Sequence, residues 1–209
     1  MGRPAQFRRE DAVATAMENF WAKGYDCVSV SELAAAMSIT RSSFYNCFKT
    51  REALFDDVLD LYAAHTPDYF LSNLDPTVPV VPAIRQAFRN LCRDRAADPD
   101  GRGCMIIKCL AQATITSKHT PKLLNLLEAK VSRYERLLNR AITNGEITKA
   151  GDVRLMAQTI ITYMIGMNTI CKLVRSEKEL WAIAETFLST VGLKATGTDL
   201  DTNTSPDTA

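Results

Sequence analysis

Residues 29–49, SVSELAAAMSITRSSFYNCFK, carry the reading that decides the fold. Ser29 opens the stretch with a hydroxyl able to accept from an otherwise orphaned backbone N–H, and Glu32, three residues on, can reach back to the Ser29 amide, which is the pattern of a capping box. Leu33, Ala34 and Met37 then recur at helical spacing, so this first short helix has one apolar face and needs a packing partner. Ser38, Ile39 and Thr40 interrupt it. Thr40 is a good N-cap for a second helix over Arg41 to Phe48, with Phe44 and Phe48 on its buried stripe. Two short helices joined by a tight turn form the layout of a helix-turn-helix DNA reader.

The polarity of the second helix sharpens that reading. Its outer face carries Arg41, Ser42, Ser43, Tyr45 and Asn46, all able to hydrogen-bond and none acidic. From Ser38 to Arg51 the chain has Arg41, Lys49 and Arg51 and no Asp or Glu, although the whole chain has 25 Lys and Arg against 24 Asp and Glu. A major groove presents donors and acceptors on base edges between phosphates that call for cations or neutral donors, and this face supplies both. Ser29, Thr40 and Lys49 complete the candidate DNA-contacting set. An ordinary solvated helical hairpin would share the capping box and the apolar stripe.

The flanks extend the pattern. Val13, Ala16, Met17, Phe20 and Trp21 follow the i, i+3, i+4 rule of an amphipathic helix, and Gly24 stands where a left-handed cap is wanted. Ahead of it, Gly2-Arg3-Pro4 and the Arg8-Arg9 pair form a basic arm that either reaches phosphates or an adjacent minor groove, with Arg3 as its candidate contact, or is a frayed terminus. Over residues 9–55, REDAVATAMENFWAKGYDCVSVSELAAAMSITRSSFYNCFKTREALF, the sequence resembles, nearly without gaps, the DNA-binding domain of the TetR family of bacterial transcriptional repressors. The resemblance implies an all-α protein of about nine helices, in which a three-helix reader precedes a larger helical ligand-binding domain. It further implies that residues 41–48 are the recognition helix, that Thr40, Tyr45 and Lys49 touch phosphates or the groove, and that the protein works as a dimer. Ser38 departs from the Gly usual in the family's turn, and Arg51 from the common Lys; Ser tolerates a positive φ at modest cost and Arg keeps the charge.

Composition bounds the rest. A chain of 209 residues with 46% hydrophobic side chains and a net charge of +1 can bury a substantial core and divides into a small unit and a larger one. The expected division is a reader over residues 1–50, an effector-binding and dimerisation domain over 51–193, and a disordered Thr-, Asp- and Ser-rich tail over 194–209. The longest apolar run, near residues 160–171, is too short and too interrupted to span a bilayer. The basic N-terminus has no apolar stretch behind it, so no secretory signal is expected. Six scattered cysteines fit a reducing, cytoplasmic setting better than a disulfide framework.

Beyond residue 50 the periodicity predicts helices throughout: one over about 51–64, a proline-punctuated loop from Asp75 through Pro82, then helices marked by Ile84 to Cys92, by Met105 to Ala113 and by Thr120 to Ile142. The next, over Asp152 to Val174, has apolar residues around most of its circumference and so must be buried on two sides; with the last helix, Glu177 to Val191, it can form a four-helix interface between two copies. Phe88, Met105, Tyr134, Met156, Tyr163, Met164 and Met167 are candidate lining for a small hydrophobic effector, although an ordinary core looks the same. Cys104, behind Asp100-Gly101-Arg102-Gly103 at a helix start, is either an electrophile or redox sensor, which a subset of TetR-type regulators possess, or a small residue packed under the turn.

Enzymatic readings find no support. The chain has no Gly-rich phosphate loop, HExxH, GxSxG or CxxC, and no catalytic residue, metal site or cofactor is expected. The function these features imply is a sequence-specific repressor that leaves a near-palindromic double-stranded operator when a small molecule binds. The alternatives are a helical ligand-binding or adaptor protein without specific DNA affinity, or a cysteine-based electrophile- or redox-sensing regulator.

Overall fold

The computed structural model describes residues 8–114, 117–148 and 151–194. Residues 1–7, with Arg3 of the basic arm, and, but for Lys194, the 194–209 tail lie outside the described residues; the Arg8-Arg9 pair of that arm lies at the start of the first helix, where Arg9 pairs with Asp57. Among those described there are nine α-helices and no strand: α1 (Arg9–Lys23), α2 (Val30–Ala36), α3 (Arg41–Phe48), α4 (Arg51–Ala64), α5 (Val80–Ala97), α6 (Met105–Gln112), α7 (Thr120–Thr143), α8 (Val153–Ile170) and α9 (Glu177–Thr190). A short 3-10 helix, Tyr69–Asn73, follows α4; periodicity could not reveal a segment this short. No described helix is long and apolar enough to cross a membrane.

The caps that punctuate the N-terminal third are formed as its residues dictate. Ser29 accepts from the Glu32 amide while the Glu32 carboxylate accepts from the Ser29 amide at 2.8 Å. Thr40 caps α3 by accepting from the Ser43 amide at 3.1 Å, and Thr50 caps α4 through the Ala53 amide at 3.0 Å. Ser38 takes the turn's left-handed conformation, with φ 56°. Gly24 closes α1 at φ 87°, its N–H donating to the Phe20 carbonyl.

Two hydrophobic cores result. The first joins α1 to α4 through Phe20, Leu33, Phe44, Leu54, Phe55 and Leu59, with Phe20 and Phe55 in edge-to-face contact at 5.1 Å. Met105, Ile106 and Cys109 of α6 and Leu123 of α7 complete it, so packing runs across residue 50 without a break. The second core belongs to α5, α7, α8 and α9.

Two helix limits differ from expectation. α5 starts at Val80, not after Pro82, because a proline in the first turn gives up only an N–H that no helical carbonyl would receive. The Val81 amide in that same turn donates to the Glu146 carboxylate at 2.8 Å. α8 ends at Ile170, short of Val174: Arg175 donates to the carbonyls of Cys171 and Asp98, and Ser176 turns the chain to cap α9 through the Glu179 amide.

The expected all-round apolar surface of α8 is also corrected. Ala157, Ile160, Ile161, Met164 and Met167 are buried, but the outer face presents Gln158, Thr159, Thr162, Gly166 and Thr169, and its large apolar member Leu155 is 60% exposed. That outer face is small and weakly polar, continued on α9 by Ala182, Thr186 and Thr190.

Candidate nucleic-acid interface and effector cavity

α3 is held by its own aromatic side chains. Phe44 and Phe48 are buried, at 0% and 3% exposure, and their rings lie 5.4 Å apart in the first core. Burying one face this firmly leaves the other standing in solvent: Thr40, Arg41, Ser42, Ser43, Tyr45, Asn46 and Lys49 are all exposed. Tyr45 meets the edge of Phe44 at 5.5 Å, which restrains the phenol while its outer end stays free. The Thr40 and Ser43 hydroxyls share a hydrogen bond of 2.9 Å, and Ser29 is exposed although its hydroxyl is occupied by the capping box. Ser29, Arg41, Tyr45 and Lys49 come together around an open concavity of about 540 Å3 between α2, α3 and the start of α4.

Lys49 sits in a tight three-residue turn that ends α3. Its backbone is at φ 65° and ψ −55°, and the Thr50 amide donates to the Phe48 carbonyl at 2.7 Å across it. This is a γ-turn geometry that L-residues adopt under strain. Its ammonium donates to the Asn46 carbonyl at 3.2 Å, so charge is gathered at the C-terminal end of α3, where the helix dipole favours a cation. Arg51, by contrast, turns inward: it donates to the Val28 carbonyl at 2.8 Å and lies over the Tyr25 ring at 4.1 Å, and so locks α4 to the reader. The acid in the first turn of α2 is also tied down: the Ser29 amide and hydroxyl, with Lys23, hold the pKa of the Glu32 carboxyl down at about 2.

The effector candidates are not brought together. Phe88, Tyr134, Met164 and Met167 are buried in the second core and Met156 and Tyr163 pack against it, whereas Met105 belongs to the first core. Tyr163 stacks on Phe187 at 3.8 Å and donates to the Ile183 carbonyl, joining α8 to α9. Tyr134 donates to the Asp68 carboxylate at 3.3 Å and is fully buried. Of this set only Met164 lines a partly open cavity of about 100 Å3 between α4, α6, α7 and α8.

That cavity has apolar walls, among them Ile106, Leu126, Ile161 and Ile165, and a polar end made by Thr66, Lys130, Arg133 and Asn168. Lys130 and Arg133 reach the carboxylate of fully buried Asp68 at 3.0 and 3.9 Å. Burial opposes the charge on Asp68, but Lys130 and Arg133 outweigh it and lower the carboxyl below its ordinary value. Sequence reasoning missed these two cations. The signal was present, since Leu126, Lys130 and Arg133 recur at i, i+4, i+7 and so share a face of α7.

Cys104 occupies the N-cap position of α6, half-buried, and lines this cavity and also an outer cleft beside α1. The neighbouring Met105 amide donates to the buried Tyr62 hydroxyl at 3.1 Å, whose pKa is raised by burial and then by Cys104. Cys109 is buried in the first core and its thiol is pushed up to about 11, chiefly by desolvation; Cys92 is pushed up to about 12 for the same reason. Among the described residues no group of three His, Cys, Asp or Glu side chains could hold a metal ion.

Comparison with known proteins agrees with this geometry. The family model for bacterial regulatory proteins of the tetR family matches residues 12–58. The HTH-type transcriptional repressor ComR of Escherichia coli is 28% identical over 196 residues, covering 90% of each chain. A cysteine mutant of the TetR family regulator CifR, solved in complex with 26-bp double-strand operator DNA, superposes with a TM-score of 0.78 at 25% identity, over 90% of this chain and 98% of that one. The reduced form of Escherichia coli NemR gives 0.72 at 21% identity, over 85% and 96%. The chain thus carries a DNA-binding domain of the tetR family over residues 12–58 and is similar along most of its length to HTH-type transcriptional repressors.

Proposed function

We propose that the protein is a dimeric repressor that grips a near-palindromic operator with two copies of α3 and lets go when a small molecule occupies the cavity between α4, α6, α7 and α8. The observation that carries the reading is the division of α3 into a face anchored by Phe44 and Phe48 and an exposed, acid-free face of Arg41, Ser42, Ser43, Tyr45, Asn46 and Lys49. One reader makes few contacts, whereas a two-fold pair meets successive major grooves about one helical turn (~34 Å) or its multiples apart. The weakly polar outer faces of α8 and α9, with Gly166 open to close approach, support pairing of two copies there. The same reading places the protein with its DNA in the cytoplasm.

The coupling follows from α4. Its N-terminal part packs in the reader's core, while Ala63, at its other end, and Thr66 line the cavity. A ligand that prefers a displaced α4 therefore moves the readers relative to one another, by no more than its differential affinity for the two arrangements. Titrating a labelled operator duplex tests the reading. Alanine at Tyr45 or Asn46 is expected to weaken binding without unfolding the chain, and unchanged affinity in both variants argues against α3 as the reader.

The position of Cys104 on the cavity wall favours a second reading, in which the signal is covalent. A small electrophile that enters the cavity would form a bond to Cys104 Sγ as its own leaving group departs (iodide from iodoacetamide) and the thiol proton passes to solvent, and the adduct would take the ligand's place. Iodoacetamide is expected to release wild-type protein from the operator and to leave the Cys104→Ser variant bound; equal release of both removes the thiol from the mechanism.

A further inference from the structure

The outer cleft next to Cys104 differs in kind from the inner cavity. It encloses about 820 Å3 between the end of α1, the loop before α6, α6 itself and the end of α8. Arg102, Lys108, Lys172 and Arg175 line it, and Asp100 is its only lining acid. Three of the four, Lys108, Lys172 and Arg175, have no carboxylate partner within 4 Å among the described residues. Arg102 is paired with Asp98 at 3.2 Å and with Glu18 at 2.7 Å. Lys108 and Arg175 donate only to backbone carbonyls, and exposed Lys172 has no hydrogen-bond or ion-pair partner among the described residues. A concave wall with an excess of cations focuses positive potential into the space it encloses.

The loop that brings these groups together is fixed. Gly101 and Gly103 have φ of 59° and 70°, and a Cβ at Gly101 would stand 2.6 Å from the Arg175 guanidinium, one at Gly103 2.5 Å from the Asn168 carbonyl. Only glycine lets the loop lie this close to the end of α8.

The same cations hold the reader. Lys108 donates to the carbonyls of Trp21 and Ala22 at 2.9 and 2.6 Å, where α1 leaves its last carbonyls without helical partners. Arg102 lies over the Trp21 ring at 4.0 Å while pairing with Glu18, and Trp21 donates its indole N–H to the Gly103 carbonyl at 3.0 Å. A group that draws Lys108 into the cleft therefore loosens the end of α1.

We infer that this cleft is a binding site for a small molecule with two or more anionic groups, a diphosphate or a polycarboxylate, and that its occupation withdraws Lys108 from the carbonyls of α1. The site adjoins the effector cavity, sharing Cys104, Ile107 and Asn168 with its wall, but none of its four cations lines that cavity, and it shares no residue with the concavity at α3, so it is not part of the DNA-reading face. The occupant is a diffusible anion because the cleft is a concave space walled by a loop and helix ends, whereas a duplex presents its phosphates along an extended rail.

Calorimetric titration of the full chain with inorganic pyrophosphate, at ionic strength held constant with NaCl, tests the site. One pyrophosphate per chain is expected. Lys172→Glu, at an exposed position whose loss leaves no group unpaired, is expected to weaken binding at least about tenfold, Lys172→Arg to restore it, and Lys49→Ala in the reader to leave it unchanged. Hydrogen exchange at the amides of residues 22–25 is expected to speed up on binding. No binding by wild type, binding indifferent to Lys172→Glu, or binding lost in Lys49→Ala would overturn the site; binding with unaltered exchange at residues 22–25 would overturn its link to α1.

Discussion

Replacing Lys49 by glycine is expected to stabilise the protein while weakening its hold on DNA, because the residue serves two purposes that pull in opposite directions. Its backbone, at φ 65° and ψ −55°, lies in a region that costs an L-residue roughly 1–3 kcal/mol. Glycine removes that strain but adds about 0.5–1 kcal/mol of unfolded-chain entropy, which leaves a net gain of about 1 kcal/mol. In a chain of 209 residues this raises Tm by roughly 2–4 °C. The lost ammonium removes one phosphate contact per protomer; at 0.1 M salt each released counterion is worth about 0.9 log units, so the dimer loses about 1.8 log units, or roughly sixtyfold in affinity. Lys49→Ala keeps the strained backbone and loses the same charge, so it separates the two effects. Thermal melts of the three proteins and anisotropy titrations of a labelled operator at several salt concentrations give both numbers. The expected pattern is an equal loss of affinity and an equal shallowing of the salt slope in both variants, with the rise in Tm confined to glycine. Identical melting of the glycine and alanine variants would refute the strain, and undiminished operator binding in both would refute the phosphate contact.

Three further outcomes follow from the packing. Thr40→Ala removes the cap of α3 and is expected to cost about 1 kcal/mol by thermal melt, a loss that Thr40→Ser largely avoids. Asp68→Leu leaves Lys130 and Arg133 without their buried acid and is expected to destabilise the fold by about 3–5 kcal/mol in urea titration; a loss under 1 kcal/mol would mean the charges are solvated. His119 is buried against the Tyr25 and Phe55 rings, and desolvation lowers its pKa below 6.5. The folded state thus binds fewer protons than the unfolded one below that value: the contribution is whole above pH 6.5 and is lost as pH falls through the depressed folded pKa. Denaturation midpoints are expected to drop between about pH 7 and pH 5 in wild type, and to drop less in His119→Gln.

The parts of this molecule legible in its sequence are those fixed by local chemistry. The Ser29 and Glu32 box, the Thr40 cap and the buried pair Phe44 and Phe48 each follow from residues a few positions apart, whereas the positive φ at Ser38 comes only from the family resemblance. Pro82 misled because a proline marks a break in mid-helix and is harmless in a first turn, and which applies depends on where Val80 and Val81 find a core. The effector lining was illegible for a different reason. Phe88 and Tyr134 are as apolar and as periodic as any cavity wall, and only the arrangement of four helices makes them core and leaves the space beside Leu126, Lys130 and Met164. Long-range polar ties, such as Lys108 to Ala22 or Arg102 to Glu18, join residues 86 and 84 positions apart and leave no periodic trace. The outer face of α8 was misjudged because counting apolar residues around a helix overlooks that Thr159, Thr162 and Gly166 all fall on one side.

Selection of bound duplexes from a random pool by the full-length protein tests the central claim most directly, since it asks α3 what it reads without any assumption about the operator. The account predicts a near-palindromic consensus whose half-sites lie about one turn (~34 Å) or its multiples apart, and a consensus altered at the same half-site positions by Asn46→Ala. Recovery of duplexes with no shared sequence, or of a consensus indifferent to every substitution on the outer face of α3, would contradict it.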